Sequence, residues 1–275
     1  MVTEPIPPRR FFASLIKRRE ERIDLALAVL LIAKEEYPKL AIEDYIERLD
    51  QLAGELRIET DLDATPEKVL EGLAWFLGKE QGFSGNPDEY YDPRNSYLNE
   101  VMDRRLGIPI TLSIVYLEVA RRAGIRLQPV TFPGHFLIKL PKDDGDDLFL
   151  DPYNGGRLMS VEDCERFYHE LHGDATPFSE TMLAAGTKRQ VVTRVLRNLK
   201  AIYLRNQELD RALRTIELMT TVTPWDLDQI RDRGLVHYRL GEIEQAVADL
   251  EVYASHAPEG PALDSVRDAL RRIHP

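Results

Sequence analysis

The chain has a single cysteine, Cys164, in 275 residues. No intramolecular disulfide can form, so the covalent framework of small secreted domains is excluded. Long apolar runs are also missing. The longest, Leu25 to Ala33, is about half of the roughly 20 residues that a membrane span needs. The basic start, M-V-T-E-P-I-P-P-R-R-F-F, leads into no continuous apolar stretch and does not read as a signal peptide. The cytoplasm is the expected compartment, with no membrane partner. Positive charge is in deficit, with 36 Lys and Arg against 47 Asp and Glu and a net charge of −11. That balance argues against nucleic acid as a partner. No glycine-rich phosphate loop is present. His169 and His172 stand at i and i+3 without a third ligand, off the i, i+4 spacing of metalloprotease helices. No metal and no cofactor is expected.

What remains is an ordinary globular composition, 43% hydrophobic and 30% charged. Residues 1 to 10 are proline-rich and read as extended. A buried helix follows from about Asp24 and stops at Pro38, as helices do before proline. Ala41 to Leu56 repeats the 3.6-residue period through Ile42, Tyr45, Leu49, Leu52 and Leu56. Thr65-Pro66-Glu67 opens another helix. A loop rich in Gly, Asn, Asp and Pro carries Tyr90 and Tyr91. Tyr97 to Leu106 reads as a short helix broken at Gly107. Pro109 opens a helix that ends at Gly124, the expected C-terminal glycine. Val130 to Leu140 reads as a strand carrying His135, with an irregularity at Pro133-Gly134. Residues 142–146 read as a turn, Leu148 to Asp151 as the returning strand, and Ser160 to His172 as a helix.

The last 90 or so residues repeat. Ala212 to Ala246 is 34 residues, and Pro224 to Pro258 is also 34. That period, with small residues where helices cross and proline at the end, is the tetratricopeptide pattern. Lys200 stands where the second unit has Gly234, so the first unit is degenerate. Asp264 to Ile273 reads as a terminal capping helix.

Four stretches carry a family resemblance: Y-Y-D-P-R-N-S-Y-L-N (90 to 99), R-R-L-G-I-P-I-T-L-S (104 to 113), P-G-H-F-L (133 to 137) and F-L-D-P-Y-N-G-G (149 to 156). Through them the chain resembles the SirB1 family over nearly its whole length. The resemblance implies an α+β, mostly helical protein. Its transglutaminase-like (papain-like) core has a small antiparallel sheet, and an all-α tetratricopeptide-like module follows. The division falls at 1–187 and 188–275. An active core of this kind uses a cysteine at the start of the core helix, a histidine on the next strand and an aspartate on the one after. The helix N-terminus and the imidazole favour the thiolate, and the carboxylate orients the imidazole. Here Pro109 falls at the nucleophile position, with His135 and Asp151 as a remnant pair. Cys164 lies beyond the Asp151 strand and is no substitute. Thr111 and Ser113 lie near the helix start, but an unactivated hydroxyl is a poor nucleophile.

Two readings of His135 and Asp151 stand: a general base or polar-ligand site, and a structural hydrogen bond. Asn95, Tyr97 and Thr111 are candidates to line a polar cleft. Equally, Arg94 and Arg104 can bridge to Asp92 and Asp103, and Asn95 can cap the following helix. In the repeats, Arg194, Arg197, Arg205, Arg231 and Arg239 fall on groove-facing positions. They suit an acidic segment or a C-terminal carboxylate, or else they pack on acidic residues of the chain itself, such as Asp143 to Asp147. The first functional reading is a non-catalytic protein acting in protein–protein interaction or scaffolding, its partner another protein or an acidic peptide segment. The alternative is a hydrolase or amide-transfer enzyme that uses His135 and Asp151 with a nucleophile not yet identified.

Overall fold

Helix α6 (Pro109–Ala123) is buried on nearly every side, as its apolar sequence requires. The computed structural model, which describes residues 7–142 and 146–273, gathers the core elements on it. Helices α2 (Leu25–Glu36), α3 (Ile42–Glu59) and α5 (Leu98–Arg104) pack against it. The Asp24 carboxylate caps α2 by accepting from Leu27 N at 3.0 Å. Gly124, at φ 96°, ends α6 in the left-handed conformation that glycine tolerates. Helix α4 (Pro66–Trp75) runs into a π-helical turn over Phe76–Glu80. One carboxylate lies on the buried surface of α6. Glu118, 2% exposed, is held by Arg121 and Arg122.

The sheet has four antiparallel strands in sequence order: β3 (Gln128–Val130), β4 (Leu137–Leu140), β5 (Leu148–Asp151) and β6 (Arg157–Met159). A separate parallel pair joins β1 (Ser84–Gly85) to β2 (Leu106–Gly107). The single strand expected over Val130 to Leu140 is therefore two, and His135 is on neither. It sits in the turn between them, two residues before β4. Pro133 has no N–H to give to a ladder, and Gly134 turns the chain at φ 73°. Helix α7 (Val161–His172), capped by Ser160 and Asp163, closes over Phe132, Leu137, Phe149 and Met159. The expected turn at 142–146 falls partly on residues 143–145, outside the described residues.

The chain forms two compact units. One is residues 18–195. The other is α1 (Pro8–Ile16) with the chain from residue 196 on. The division falls inside α8 (Lys188–Arg205). The boundary read at 187/188 groups α1 with the core, whereas in the structure α1 packs on α9 (Leu209–Val222). Its buried face is Phe12, Leu15 and Ile16, and Arg9 pairs with Glu217 at 2.6 Å. Residues 8–10, read as extended, open this helix, with Pro8 at the first position where a missing N–H costs nothing.

The repeat helices follow as α10 (Leu227–Leu240), α11 (Ile243–His256) and the terminal α12 (Pro261–Ile273). Ala212 and Ala246 are both fully buried. Gly234 lets α10 and α11 cross closely, since a Cβ there would lie 2.9 Å from Leu250 Cγ. Its counterpart Lys200 bonds Gln229 at 2.7 Å and Asp232 at 2.8 Å. A polar bridge stands where the second repeat has a close crossing.

Candidate functional site

The antiparallel register pairs Ile138 with Leu150, which places the end of β5 beside the turn before β4. His135 and Asp151 meet there, with Nε2 to Oδ1 at 2.9 Å. Both are buried, at 7% and 1% exposure. Asp151 is more fully engaged than a two-residue pair requires. It accepts from Tyr153 N (3.1 Å), Asn154 N (3.3 Å) and Asn154 Nδ2 (2.7 Å). The carboxylate therefore holds both the imidazole and the following turn. Of the two ring nitrogens, Asp151 takes Nε2, and Nδ1 is left to face any third group.

Aromatic rings enclose the imidazole. Phe167 meets it edge-on at 5.0 Å and Tyr153 at 6.0 Å. Tyr153 lies over Gly85, where a Cβ would fall 2.6 Å from the ring. Tyr153 also contacts Tyr90 at 6.1 Å, and Tyr90 contacts Tyr91 at 5.4 Å. Burial, then the neighbouring Tyr90 and the Asp151 charge, push the Tyr153 phenol up. Neither Tyr153 nor Asn154 was singled out as a site residue. Both lie in the F-L-D-P-Y-N-G-G stretch, which was the available signal.

Pro109 is buried at the first position of α6. Pro109, Ser113 and Tyr116 fall on one stripe of the helix, at i, i+4 and i+7. Burial first, and then the Asp151 charge, push the Tyr116 phenol up. Among the described residues, the Ser113 and Tyr116 hydroxyls have no hydrogen-bond partner. Thr111 is tied to backbone. Its hydroxyl donates to Asn95 O at 2.6 Å and accepts from Ile108 N at 3.2 Å.

Asn95 is fully buried and acts on its own loop. Its Nδ2 donates to Glu89 O at 2.7 Å, and its Oδ1 accepts from Asn86 at 3.2 Å. Tyr97, also buried, meets Tyr37 edge-on at 5.5 Å. It occupies the cap position of α5 without a side-chain cap bond. Arg94 binds Asp92, and Arg104 lies 3.6 Å from the same carboxylate. Arg105 stacks over Phe83 at 4.5 Å.

Cys164 packs in the core behind the sheet. Burial, and then the Asp163 and Asp151 charges, push its thiol up to about 12. At pH 8 only about one thiol in ten thousand would be ionised. Ellman's reagent should therefore find no thiol in the folded chain and one per chain in guanidinium. Rapid reaction of the folded chain would show that the thiol is reachable.

The five arginines do not share one environment. Arg197, Arg205 and Arg239 are exposed. Arg231 is half-buried. It pairs with Asp228 at 2.8 Å and Asp232 at 2.7 Å, and it lies 5.6 Å from the centre of the Tyr253 ring. Arg194 is half-buried near Tyr90, where burial raises the phenol and the Arg194 charge pulls against it. The alternative acidic partner, Asp143 to Asp147, lies outside the described residues at 143–145, and Asp147 is bound by Lys139 at 3.0 Å. Among the described residues, no group of three or more His, Cys, Asp or Glu is placed to hold a metal. No helix of these residues is long and apolar enough to cross a membrane.

A sheet that brings histidine to aspartate behind a buried helix, followed by helix pairs of a 34-residue period, defines a transglutaminase-like core with a tetratricopeptide region. The comparisons agree. The family model "Transglutaminase-like superfamily" matches residues 43–197, and "Tetratricopeptide repeat" matches 199–271. The chain belongs to the SirB1/UPF0162 family of transglutaminase-like proteins. It is 40% identical to a UPF0162 protein of Xylella fastidiosa (strain Temecula1 / ATCC 700964) over 91% of this chain and 90% of the relative. It is 28% identical to protein SirB1 of Salmonella typhimurium, over 86% and 87% respectively. Its identity to UPF0162 protein YchA of Escherichia coli (strain K12) is also 28%, over 87% and 88%. No solved structure matches the chain.

Proposed function

We propose that this is a non-catalytic binding protein of the cytoplasm, in which the transglutaminase-like unit serves as a core and the tetratricopeptide-like unit as a helical interaction module. The observation that carries the reading is Pro109. It stands at the nucleophile position, at the first turn of α6, and has no side chain able to attack a carbonyl. The nearby alternatives are weak. The Thr111 hydroxyl is committed to backbone, and Cys164 is buried in the core. The four hydrogen bonds on Asp151 suit a strut that fixes the β5 turn.

The test is to incubate the full chain with casein and a fluorescent primary amine, and separately with an activated ester. The expected outcome is neither amine incorporation nor an acylated protein by mass spectrometry. Turnover that His135→Ala abolishes would sink the reading. It would establish the alternative, a hydrolase or amide-transfer enzyme using the His135–Asp151 pair.

A further inference from the structure

Residues 18–22 read R-R-E-E-R, a mixture that could neutralise itself locally. The fold separates the two signs. A single 3-10 turn over Glu20–Arg22 sends Glu20 to the start of α8, where its carboxylate accepts from Lys188 N and, at 2.7 Å, from Arg189 Nη1. Glu21 lines a different cleft, with Leu117 and Arg121 of α6. Arg18, Arg19 and Arg22 are left to one another. All three are exposed, and together they line one hollow of about 290 Å³. Among the described residues, none of these three guanidinium groups has a hydrogen-bond or ion-pair partner. The chain as a whole carries a net charge of −11. Three unpaired cations around one space are therefore a local concentration of like charge, which an anion in that space relieves.

The turn is fixed from behind. Arg22 N donates to Arg19 O at 2.9 Å, and Ile23 N to Glu20 O at 3.2 Å. Lys188 Nζ donates to Ile23 O at 2.7 Å, and Arg189 donates to Arg18 O. Ile23 is buried, and Asp24 caps α2 directly after it. The backbone that carries the arginines is set before any ligand arrives, so binding costs mainly the ordering of three side chains.

The chemistry of the hollow selects among anions. A carboxylate has two oxygens and one charge, and a single guanidinium already satisfies it bidentately. A phosphate monoester has three free acceptor oxygens and nearly two charges, which match three guanidinium groups. A nucleic-acid phosphodiester carries one charge on two free oxygens, and the acidic chain repels a polyanion. The lining is arginine alone. It recognises the phosphate and offers no apolar wall to the body of a small molecule, unlike an ordinary small-molecule pocket. A phosphorylated side chain presented on a polypeptide meets that condition, and arginine clusters commonly read such groups. We propose that Arg18, Arg19 and Arg22 bind a phosphorylated side chain of a partner polypeptide. This goes beyond the binding reading above and holds whether or not the His135–Asp151 pair is catalytic.

The experiment exposes the full chain to a pool of nine-residue peptides, random except for a central phosphoserine, and to matched pools with central serine or glutamate. Retained peptides are then synthesised and their affinities measured by fluorescence polarisation. The phosphoserine pool should be retained. Its winners should bind about tenfold or more weakly as their serine forms, and about threefold or more weakly as their glutamate forms. Replacing Arg18, Arg19 or Arg22 singly with Met should weaken binding about threefold or more, and the triple change should abolish it. The unfolding temperature should stay put, because these side chains hold no other residue. Arg126→Met, the same charge change at another exposed arginine, should alter nothing. Retention of the phosphoserine pool no better than the serine pool would overturn the proposal. So would phosphopeptides that bind the triple variant as well as the parent. Binding instead to vesicles of phosphatidylcholine with phosphatidylinositol 4-phosphate, lost in the triple variant, would assign the hollow to a membrane phosphate and overturn the polypeptide partner.

Discussion

Replacing Asp151 with alanine should lower the stability of the core by about 3–5 kcal/mol, because it leaves several hydrogen-bond donors without their acceptor at about 1–3 kcal/mol for each buried one. In a unit of this size that corresponds to an unfolding temperature lower by roughly 6–20 °C. The size of the effect follows from what the carboxylate holds. It is 1% exposed and accepts from His135 Nε2, from the backbone N–H of Tyr153 and Asn154, and from Asn154 Nδ2. Alanine leaves these donors without their acceptor; the buried His135 ring cannot turn to water and costs about 1–3 kcal/mol, as does the half-buried Tyr153 N–H in part, while exposed Asn154 can turn to solvent. The penalties do not sum, because the freed turn relaxes. Asp151→Asn keeps one carbonyl oxygen and should lose roughly half as much. Thermal and urea unfolding read both. An Asp151→Ala protein that melts within a degree or two of the parent would show that the carboxylate is not a strut.

Gly85→Ala should destabilise the chain by about 1–3 kcal/mol, the range for forcing an atom into a filled space. The backbone at Gly85 is not in the left-handed region, so the cause is steric and not conformational. The new Cβ would lie 2.6, 2.7 and 2.9 Å from Cε2, Cδ2 and Cζ of Tyr153. That ring cannot simply withdraw, because it touches both His135 and Tyr90. The diagnostic result is the double variant. With Tyr153→Ala the obstructing ring is gone, and Gly85→Ala should then be nearly neutral. A four-member cycle should give a coupling of about 1–2 kcal/mol. Simple additivity of the two changes would mean that the ring and the glycine do not meet.

Some of this protein could be read from neighbours along the chain. Helices α2 and α6 were legible because their residues are apolar on nearly every side, and Gly124 and Pro38 mark where they stop. The repeats were legible because Ala212 and Ala246, like Pro224 and Pro258, return at the same interval. His135 and Asp151 were legible as a pair through the family's residue pattern. Over Val130 to Leu140 the sequence pattern reads as one strand where the fold has two. An apolar run hides a turn when the interruption is only Pro133-Gly134, and the break moved His135 off the strand.

The sequence by itself determined the core helices α2 and α6, the repeat period and the absence of a thiol at position 109, because each is written within a turn or two of backbone or in a single residue type. Tertiary structure decided the rest. It put Tyr153 over Gly85 and drew α1 onto α9. These outcomes depend on which surfaces meet when distant segments bury their apolar faces. No local period encodes that, because a side chain's partner across a register or a helix crossing is set by the whole packing.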